Sequence, residues 1–130
     1  MAYPDPVPTN DNHQEFDVLR AAYAAFNARD IDAALALMTP DVEWPRAFKG
    51  GFVQGHEGVR TYWTEQWTEI DPHVEPRSFI VVDPAQISVE VHQSVRNLEG
   101  AVVADETVFH NFTMANDLIR KMEVRSHSTN

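Results

Sequence analysis

The sequence predicts an α+β domain, because helical spacing fills its first half and strand spacing fills its second. Up to about residue 70, the large apolar side chains recur every three or four positions. From residue 78 onwards, apolar and polar residues alternate with a period of two, and turn-forming residues separate the runs. At 130 residues the chain has the length of one domain with one core. We therefore expect the helices to cover one face of an antiparallel sheet.

Three helices are predicted. The first covers residues 13–28, where four large apolar residues have helical spacing: Phe16, Leu19, Tyr23 and Phe26. Asp30 is a suitable N-cap for a short second helix over residues 31–38, which ends before Pro40. The third helix is predicted over residues 56–70.

Five strands are predicted, and they cover residues 42–44, 78–82, 87–95, 107–114 and 118–125. The segment Leu98–Gly100 suits a three-residue hairpin turn in which Gly100 takes the left-handed backbone conformation. Asn116 and Asp117 mark the turn before the last strand.

The register of the hairpin around Leu98–Gly100 decides which side chains meet. With the three-residue turn continued as a regular ladder, His92 lies opposite Glu106, and their β-carbons are about 4.5–5.5 Å apart. A two-residue turn at Glu99-Gly100 moves every pair by one residue and separates these two side chains. The predicted contact between His92 and Glu106 therefore depends on one residue in the hairpin.

In the first register, one sheet face mixes carboxylates and imidazoles with apolar side chains: Glu90, His92, Glu106, Val108, His110 and Phe112. Burial disfavours the charged forms of such groups, whereas pairing a carboxylate with an imidazole favours them, so these groups can act as acids and bases near neutral pH. The alternative is a solvated sheet face for the charged residues and a hydrogen-bonded core position for His110.

Five aromatic residues could line an apolar cavity for a flat small molecule: Tyr23, Phe26, Trp44, Trp63 and Trp67. The alternative is that they form ordinary core, as aromatic residues on helices usually do. Trp44 lies at a strand end just before Pro45, which favours a position at the rim of a cavity. Arg46 and Lys49 either hold an anionic group beside that rim or are solvated loop residues.

The composition excludes several kinds of chemistry. Without cysteine the chain has no disulfide, thiol nucleophile, zinc ribbon or iron–sulfur site. No histidine pair has metal-ligand spacing, and no phosphate-binding loop or nucleophile elbow is present, so neither a metal nor a cofactor is expected. A metal site at His92, His110 and two glutamates is conceivable only in the first register. The formal charge of −10 makes nucleic acid and anionic membranes unsuitable partners.

The N-terminal segment is predicted to be a flexible arm over residues 1–13, because three of the eight prolines lie there among acidic and amide residues. It lacks the basic start and apolar stretch of a signal peptide, and no apolar run approaches the ~20 residues of a membrane span. A cytoplasmic location is the expectation that remains.

Three strings carry a family resemblance: residues 23–44, with YAAFNARDIDA and LMTPDVEW; residues 52–60, FVQGHEGVR; and residues 112–119, FTMANDLI. They resemble the nuclear-transport-factor-2-like superfamily, particularly its SnoaL-like branch, although Asp117 stands where glycine is common. The resemblance implies a single SnoaL-like α+β domain over residues 14–126. It also implies a cone-shaped fold, with three N-terminal helices on a curved, mostly antiparallel sheet around a pocket, and a homodimer.

The resemblance also suggests roles for individual residues. The base aspartate of ketosteroid isomerases falls at Trp44, so that mechanism is not expected. Their oxyanion-binding acid falls at His110, and their first-helix tyrosine falls one residue before Tyr23. In SnoaL-like polyketide cyclases, an acid on the penultimate strand is the general base and a histidine lies on the preceding strand. Glu106 and His92 are similar in placement, with glutamate replacing the usual aspartate.

We therefore expect an enzyme that performs acid–base chemistry of the cyclase or isomerase type on a hydrophobic, carbonyl-bearing compound. Glu106 would transfer the proton, and His92 would orient it or stabilise an enolate. The predicted substrate-binding residues are Tyr23, Trp44, Trp63, Glu90, His110 and Phe112. The alternative is a non-catalytic domain of the same fold that binds a small ligand or dimerises.

Overall fold

Three helices and a six-stranded sheet make up the computed structural model, which describes residues 6–46 and 50–126, with side chains between residues 15 and 125. In chain order the elements are α1 (Pro6–Asn27), α2 (Ile31–Leu35), β1 (Met38–Pro45), β2 (Phe52–Gln54), α3 (Gly55–Trp67), β3 (Ile70–Asp83), β4 (Gln86–Asn97), β5 (Val102–Ala115) and β6 (Leu118–Ser126). The sheet order is β2-β1-β6-β5-β4-β3; β1 runs parallel to β6, and the other neighbours are antiparallel. The predicted α+β class with a mostly antiparallel sheet is confirmed. Within the described residues, no helix is long and apolar enough to cross a membrane.

The helices differ from the prediction at their ends. α1 begins at Pro6, inside the segment predicted as an arm, and Pro6 and Pro8 fit its first turn because the N–H groups there have no helical partner. Residues 1–5 lie outside the described residues. Asp30 caps α2 as predicted, since its carboxylate accepts a hydrogen bond from the Ala33 N–H at 3.2 Å.

The C-terminus of α1 turns out of the helix at Arg29, whose φ is 63°. The Arg29 N–H donates to the Phe26 carbonyl and the Asp30 N–H donates to the Ala25 carbonyl, at 3.0 and 2.8 Å. These two bonds define a Schellman motif, in which the left-handed residue is usually glycine. The motif sends the chain directly into α2.

One strand, β2, was missed in the prediction, and β1, β3 and β5 were predicted too short. β2 is only three residues long, and its segment reads as a loop because of the neighbouring glycines. The first half of β3 was missed because it contains Pro72 and Pro76. β3 lies at the edge of the sheet, where a strand can contain proline because one side of its backbone has no partner strand.

The β4–β5 hairpin has the predicted three-residue turn. The Asn97 N–H donates to the Ala101 carbonyl at 2.9 Å, and Gly100 has a φ of 96°. The ladder beyond the turn is not regular, because Arg96 pairs with Val102 while Val95 pairs with Ala104.

Val103 is thus the extra residue of a β-bulge, and it shifts every later pair by one residue. His92 lies opposite Thr107, and Glu106 lies opposite Gln93. The predicted register, with His92 opposite Glu106, is wrong for this reason.

The shift also places the β4 residues and the β5 residues of the predicted mixed face on opposite faces of the sheet. The inner face, which the helices cover, carries the apolar residues of β4 together with alternate residues of β5: Ile87, Val89, Val91, Val95, Val108, His110, Phe112 and Met114. Ser88, Glu90, His92 and Ser94 lie on the outer face. His110 and Phe112 are therefore in the core, whereas Glu90 and His92 are not.

Candidate functional site

A cavity lies between α1, α3 and the inner face of five strands. Its aromatic lining residues are Tyr23, Phe26, Trp44, Tyr62, Trp63 and Phe112, and its other polar lining residues are Gln66, Gln93 and His110. The cavity itself has a volume of about 70 Å³, and the space including its open mouth is about 690 Å³. It is a narrow slot. None of the described lining residues is an aspartate, glutamate, lysine or arginine.

The aromatic walls contact one another edge to face. The ring centroids of Phe26 and Trp63 are 5.0 Å apart with planes at 77°, and those of Trp44 and Trp63 are 5.4 Å apart at 84°. Such pairs hold their rings in fixed orientations. Trp44 is half-buried on the lining of the slot, whereas Trp67 packs behind Phe26 and Trp63 and does not line it.

Tyr23 and His110 form a buried polar pair in this apolar slot. The Tyr23 hydroxyl and the His110 Nδ1 are 2.7 Å apart, and the two rings stack at 12° with centroids 5.7 Å apart. Tyr23 lies on α1 and His110 lies on β5, so the bond joins the helical layer to the sheet. The side chains are 5% and 4% exposed.

Burial keeps both groups of the pair uncharged at neutral pH. Desolvation lowers the pKa of His110 from 6.5 to about 4, because the imidazolium cannot be hydrated there. Desolvation also raises the pKa of Tyr23 well above its usual value of 10.0. The pair therefore consists of a neutral imidazole and a neutral phenol.

Two tautomers of the imidazole satisfy this contact. With the proton on Nδ1, the imidazole donates to the Tyr23 oxygen, and the phenol O–H remains for a ligand oxygen. With the proton on Nε2, the phenol donates to Nδ1, and the Nε2–H remains. In either tautomer the pair keeps one strong donor for a further acceptor, and moving between the tautomers moves a proton.

The structure does not bring His92 into the slot. On the outer face, His92 Nε2 is 2.7 Å from a carboxylate oxygen of Asp105, and Glu75 is its cross-strand neighbour on β3. Glu90 is on the same face, where it accepts a hydrogen bond from the Ser78 hydroxyl at 3.3 Å. The predicted contact between His92 and Glu106 is not formed.

Glu106 is exposed beside the slot. The Gln93 side-chain amide donates to its carboxylate at 3.4 Å, and Gln93 itself lines the slot. Of the predicted site residues, the structure places Tyr23, Trp44, Trp63, His110 and Phe112 together around one cavity.

The loop after β1 shows no preformed anion site in the described residues. The Arg46 guanidinium donates to the Gly50 carbonyl at 2.9 Å and so closes its own loop, while Lys49 lies outside the described residues. In the part of the chain that the structure describes, no three histidine, aspartate or glutamate side chains are grouped as metal ligands would be.

Gln66 and Gln93 were not predicted as lining residues. Gln93 is the one polar residue in the run Val89, Val91, Gln93, Val95, whose other members face the core. A lone polar residue on an otherwise apolar strand face was the available signal. Gln66 shares its helix face with Tyr62, and the sequence contains no comparable signal for it.

The fold and the slot together define a class of protein. Three helices and a six-stranded, mixed and mostly antiparallel sheet are consistent with the nuclear-transport-factor-2-like fold. A SnoaL-like domain model matches residues 19–122, and the chain belongs to the SnoaL-like family of this superfamily.

Solved structures extend this comparison. TerC, co-crystallised with polyporic acid, is 28% identical with a TM-score of 0.77, over 88% of this chain and 92% of TerC. An NTF2-like protein of unknown function from Burkholderia pseudomallei is 25% identical, with a TM-score of 0.76 over 88% and 91% of the two chains. A putative polyketide cyclase from Sinorhizobium meliloti shares the fold at 21% identity, with a TM-score of 0.72 over 84% and 94%. A comparison with curated protein sequences finds no match.

Proposed function

We propose that the slot binds a flat, mostly apolar small molecule with a carbonyl or phenol oxygen, and that Tyr23 and His110 transfer a proton at that oxygen. This is acid–base chemistry of the cyclase or isomerase type. The observation that carries the proposal is the 2.7 Å bond between two neutral, buried groups in an apolar cavity. TerC, which is 28% identical, supports it because that protein was co-crystallised with polyporic acid.

The physical basis is the stabilisation of developing charge. A neutral donor fixed in a site of low polarity stabilises negative charge on a ligand oxygen more strongly than water does, because it needs no reorganisation. Among the described lining residues there is no carboxylate, so the Tyr23–His110 pair itself is the proposed acid and base. In this proposal His92 transfers no proton, because it lies on the outer face.

Binding is tested by titrating polyporic acid while following the intrinsic tryptophan fluorescence, because Trp44 and Trp63 line the slot. We expect Tyr23→Phe and His110→Gln to weaken binding about threefold to tenfold, because each removes one hydrogen bond. His73→Gln is the matched control, since His73 is exposed on β3. Equal affinity in Tyr23→Phe and the unaltered protein would contradict the role of the pair.

Proton transfer needs a separate measurement. We expect the protein to accelerate deuterium uptake from D2O into 2-tetralone, a flat ketone with acidic C–H bonds. In this step the Tyr23 O–H donates its proton to the ketone oxygen, the Nδ1–H of His110 passes to the Tyr23 oxygen, and the Nε2 of His110 accepts the proton from carbon. Placed acids and bases contribute about 10²–10⁴ in rate, so Tyr23→Phe should slow the exchange at least tenfold and His73→Gln should not.

A non-catalytic ligand-binding domain is the second candidate. The absence of a carboxylate among the described lining residues favours it. Polyporic acid binding that depends on Tyr23, together with no acceleration of deuterium uptake, would establish this candidate and exclude the catalytic one.

The homodimer that the resemblance implies is also part of the proposal. Sedimentation equilibrium separates the 14.8 kDa monomer from a species of twice that mass. A monomer at all protein concentrations would contradict it.

A further inference from the structure

The slot has a second polar region, and from it we infer that the ligand carries a hydrogen-bond donor, a hydroxyl or an amine, at the end away from Tyr23 and His110. The inference rests on the proposed function, because it describes the other end of the same ligand. It follows from the orientation of two glutamine side chains, the spacing along β4 and β5, and the charge of the surroundings.

The orientation of Gln93 follows from its partner. The amide nitrogen of Gln93 faces Glu106, because it donates a hydrogen bond to the Glu106 carboxylate at 3.4 Å and the amide oxygen has no proton to donate. The carbonyl oxygen of Gln93 is then turned away from Glu106. Because Gln93 lines the slot, this oxygen is the acceptor that it offers to a ligand.

Gln66 is oriented in the same way from the helical side of the slot. Its amide nitrogen donates to the Tyr62 hydroxyl at 3.0 Å, and both residues line the slot. Its carbonyl oxygen is therefore also turned away from its partner. Two half-buried glutamines thus present acceptor oxygens, and the complementary ligand group is a donor.

The distance between the two polar regions sets the length of the ligand. His110 pairs with Val89, and Glu106 pairs with Gln93, so the two levels of the ladder are four residues apart. At about 3.3 Å per residue this is roughly 13 Å along the sheet. Two linked six-membered rings with a polar atom at each end span this distance when hydrogen-bond lengths are included.

The negative charge near Gln93 favours a donor over an anion at the outer end of the ligand, which is the end away from Tyr23 and His110. Glu106 is the cross-strand neighbour of Gln93 and its hydrogen-bond partner, and the chain has a formal charge of −10. An anionic group at this end would meet acceptor oxygens and a negative field. A hydroxyl or a protonated amine can donate to the acceptor oxygens, and the negative field does not repel it.

Three biphenyls that differ only at the outer end test the inference: 4-phenylphenol, 4,4′-biphenol and 4′-hydroxybiphenyl-4-carboxylate. We expect 4,4′-biphenol to bind about threefold to tenfold more tightly than 4-phenylphenol, which corresponds to one added hydrogen bond. The carboxylate should bind at least tenfold more weakly than 4,4′-biphenol. Isothermal titration calorimetry measures all three affinities.

Gln93→Leu should reduce the preference for 4,4′-biphenol over 4-phenylphenol to less than twofold. Gln86→Leu is the matched control, because Gln86 is an exposed residue of the same strand that does not line the slot.

Glu106 is a positioning residue, because it fixes the orientation of the Gln93 amide. Glu106→Leu should lower the preference, and Glu106→Gln should restore it because its amide oxygen still accepts from Gln93.

Each outcome has one meaning. Binding of 4-phenylphenol without any preference for 4,4′-biphenol, or a preference that Gln93→Leu leaves unchanged, overturns the inference and leaves the proposed function standing. Failure of all three compounds to bind the unaltered protein contradicts the proposed function, and the inference falls with it.

Discussion

His110 is a histidine held neutral by its surroundings. Its neighbours in the slot are aromatic and aliphatic, and its hydrogen-bonding partner is an uncharged phenol rather than a carboxylate. A carboxylate partner would favour the imidazolium, whereas burial alone disfavours it. The site is therefore suited to moving protons between neutral groups.

The neutral state of His110 predicts a stability that depends on pH. Below pH 6.5 the unfolded chain binds a proton at this residue, whereas the folded chain binds it only near pH 4. The contribution of the neutral His110 to the free energy of unfolding is therefore fully present above pH 6.5 and is lost as the pH falls towards 4. The loss amounts to about 3 kcal/mol.

Urea unfolding at pH 7.5, 5.5 and 4.5 measures this effect. Carboxylates also titrate in this range, so the informative quantity is the difference between the unaltered protein and His110→Gln. We expect that difference to shrink or reverse as the pH falls. A difference that stays constant with pH would show that His110 is not buried as a neutral group.

Arg29 combines a strained backbone with a well-bonded side chain. A left-handed conformation costs a non-glycine residue roughly 1–2 kcal/mol. The guanidinium forms an ion pair with Asp71, donates to the Pro72 carbonyl at 2.8 Å, and lies 4.9 Å from the ring centroid of Trp67. These contacts offset the strain and attach the end of α1 to β3.

Two substitutions separate these opposing effects. Arg29→Ala removes the side-chain contacts and keeps the strain, whereas Arg29→Gly removes both. We therefore expect Arg29→Ala to be less stable than Arg29→Gly by about 1 kcal/mol, as measured by urea unfolding. The reverse order would mean that the left-handed conformation at this position costs nothing.

Among the elements, the last hairpin has a two-residue turn built from two residues with positive φ. Asn116 and Asp117 have φ values of 54° and 66°, and Ala115 pairs with Leu118, which defines a two-residue type I′ turn. Asparagine followed by glycine is the sequence that such a turn favours, because glycine takes a positive φ without steric cost.

Asp117→Gly should therefore raise the free energy of unfolding by up to about 1 kcal/mol. Ala115→Gly, two residues away in β5, should lower it instead, because glycine weakens a strand. Thermal unfolding followed by circular dichroism compares the two. A loss of stability in Asp117→Gly would contradict the assigned turn.

The sequence predicted elements well and their pairing poorly, and the β4–β5 hairpin shows the physical reason. Gly100 marks the turn in the local sequence, and alternating apolar and polar residues mark the strands. Nothing local marks the bulge at Val103, because Ala101, Val102, Val103 and Ala104 are all small or β-branched residues that suit either face. One extra residue moved the predicted acid–base pair apart.

The predictable residues of the site are those with a distinctive local sequence pattern. Tyr23, Trp44 and Trp63 were identified because large aromatic residues are uncommon and their spacing is helical or strand-like. His110 was identified from its position between Val108 and Phe112. Its bond to Tyr23 was not, because the two residues are 87 positions apart and only the packing of α1 against the sheet brings them together.

At the scale of the whole molecule, β6 connects two parts of the sheet. β1 and β2 reach β5, β4 and β3 only through β6, which lies between them. β1 contributes Trp44 to the slot, and β5 contributes His110 and Phe112, so the slot depends on this connection.

A chain that ends at Asp117 should therefore lose cooperative unfolding, because β1 and β2 have no partner in the rest of the sheet. A chain that ends at Ser126 keeps β6 and should unfold cooperatively. Circular dichroism in urea distinguishes them. A cooperative transition in the shorter chain would show that β1 can pair directly with β5.

The parallel pairing of β1 with β6 also bears on synthesis in the cell. A ribosome makes β1 early and β6 last, so the central strand of the sheet leaves the exit tunnel only after translation of the domain is complete. Until then β1, which carries the buried apolar residues Met38 and Val42, has only the three-residue strand β2 beside it. Because an unpaired strand edge favours aggregation, the nascent chain must be kept from aggregating until β6 is available to pair with β1.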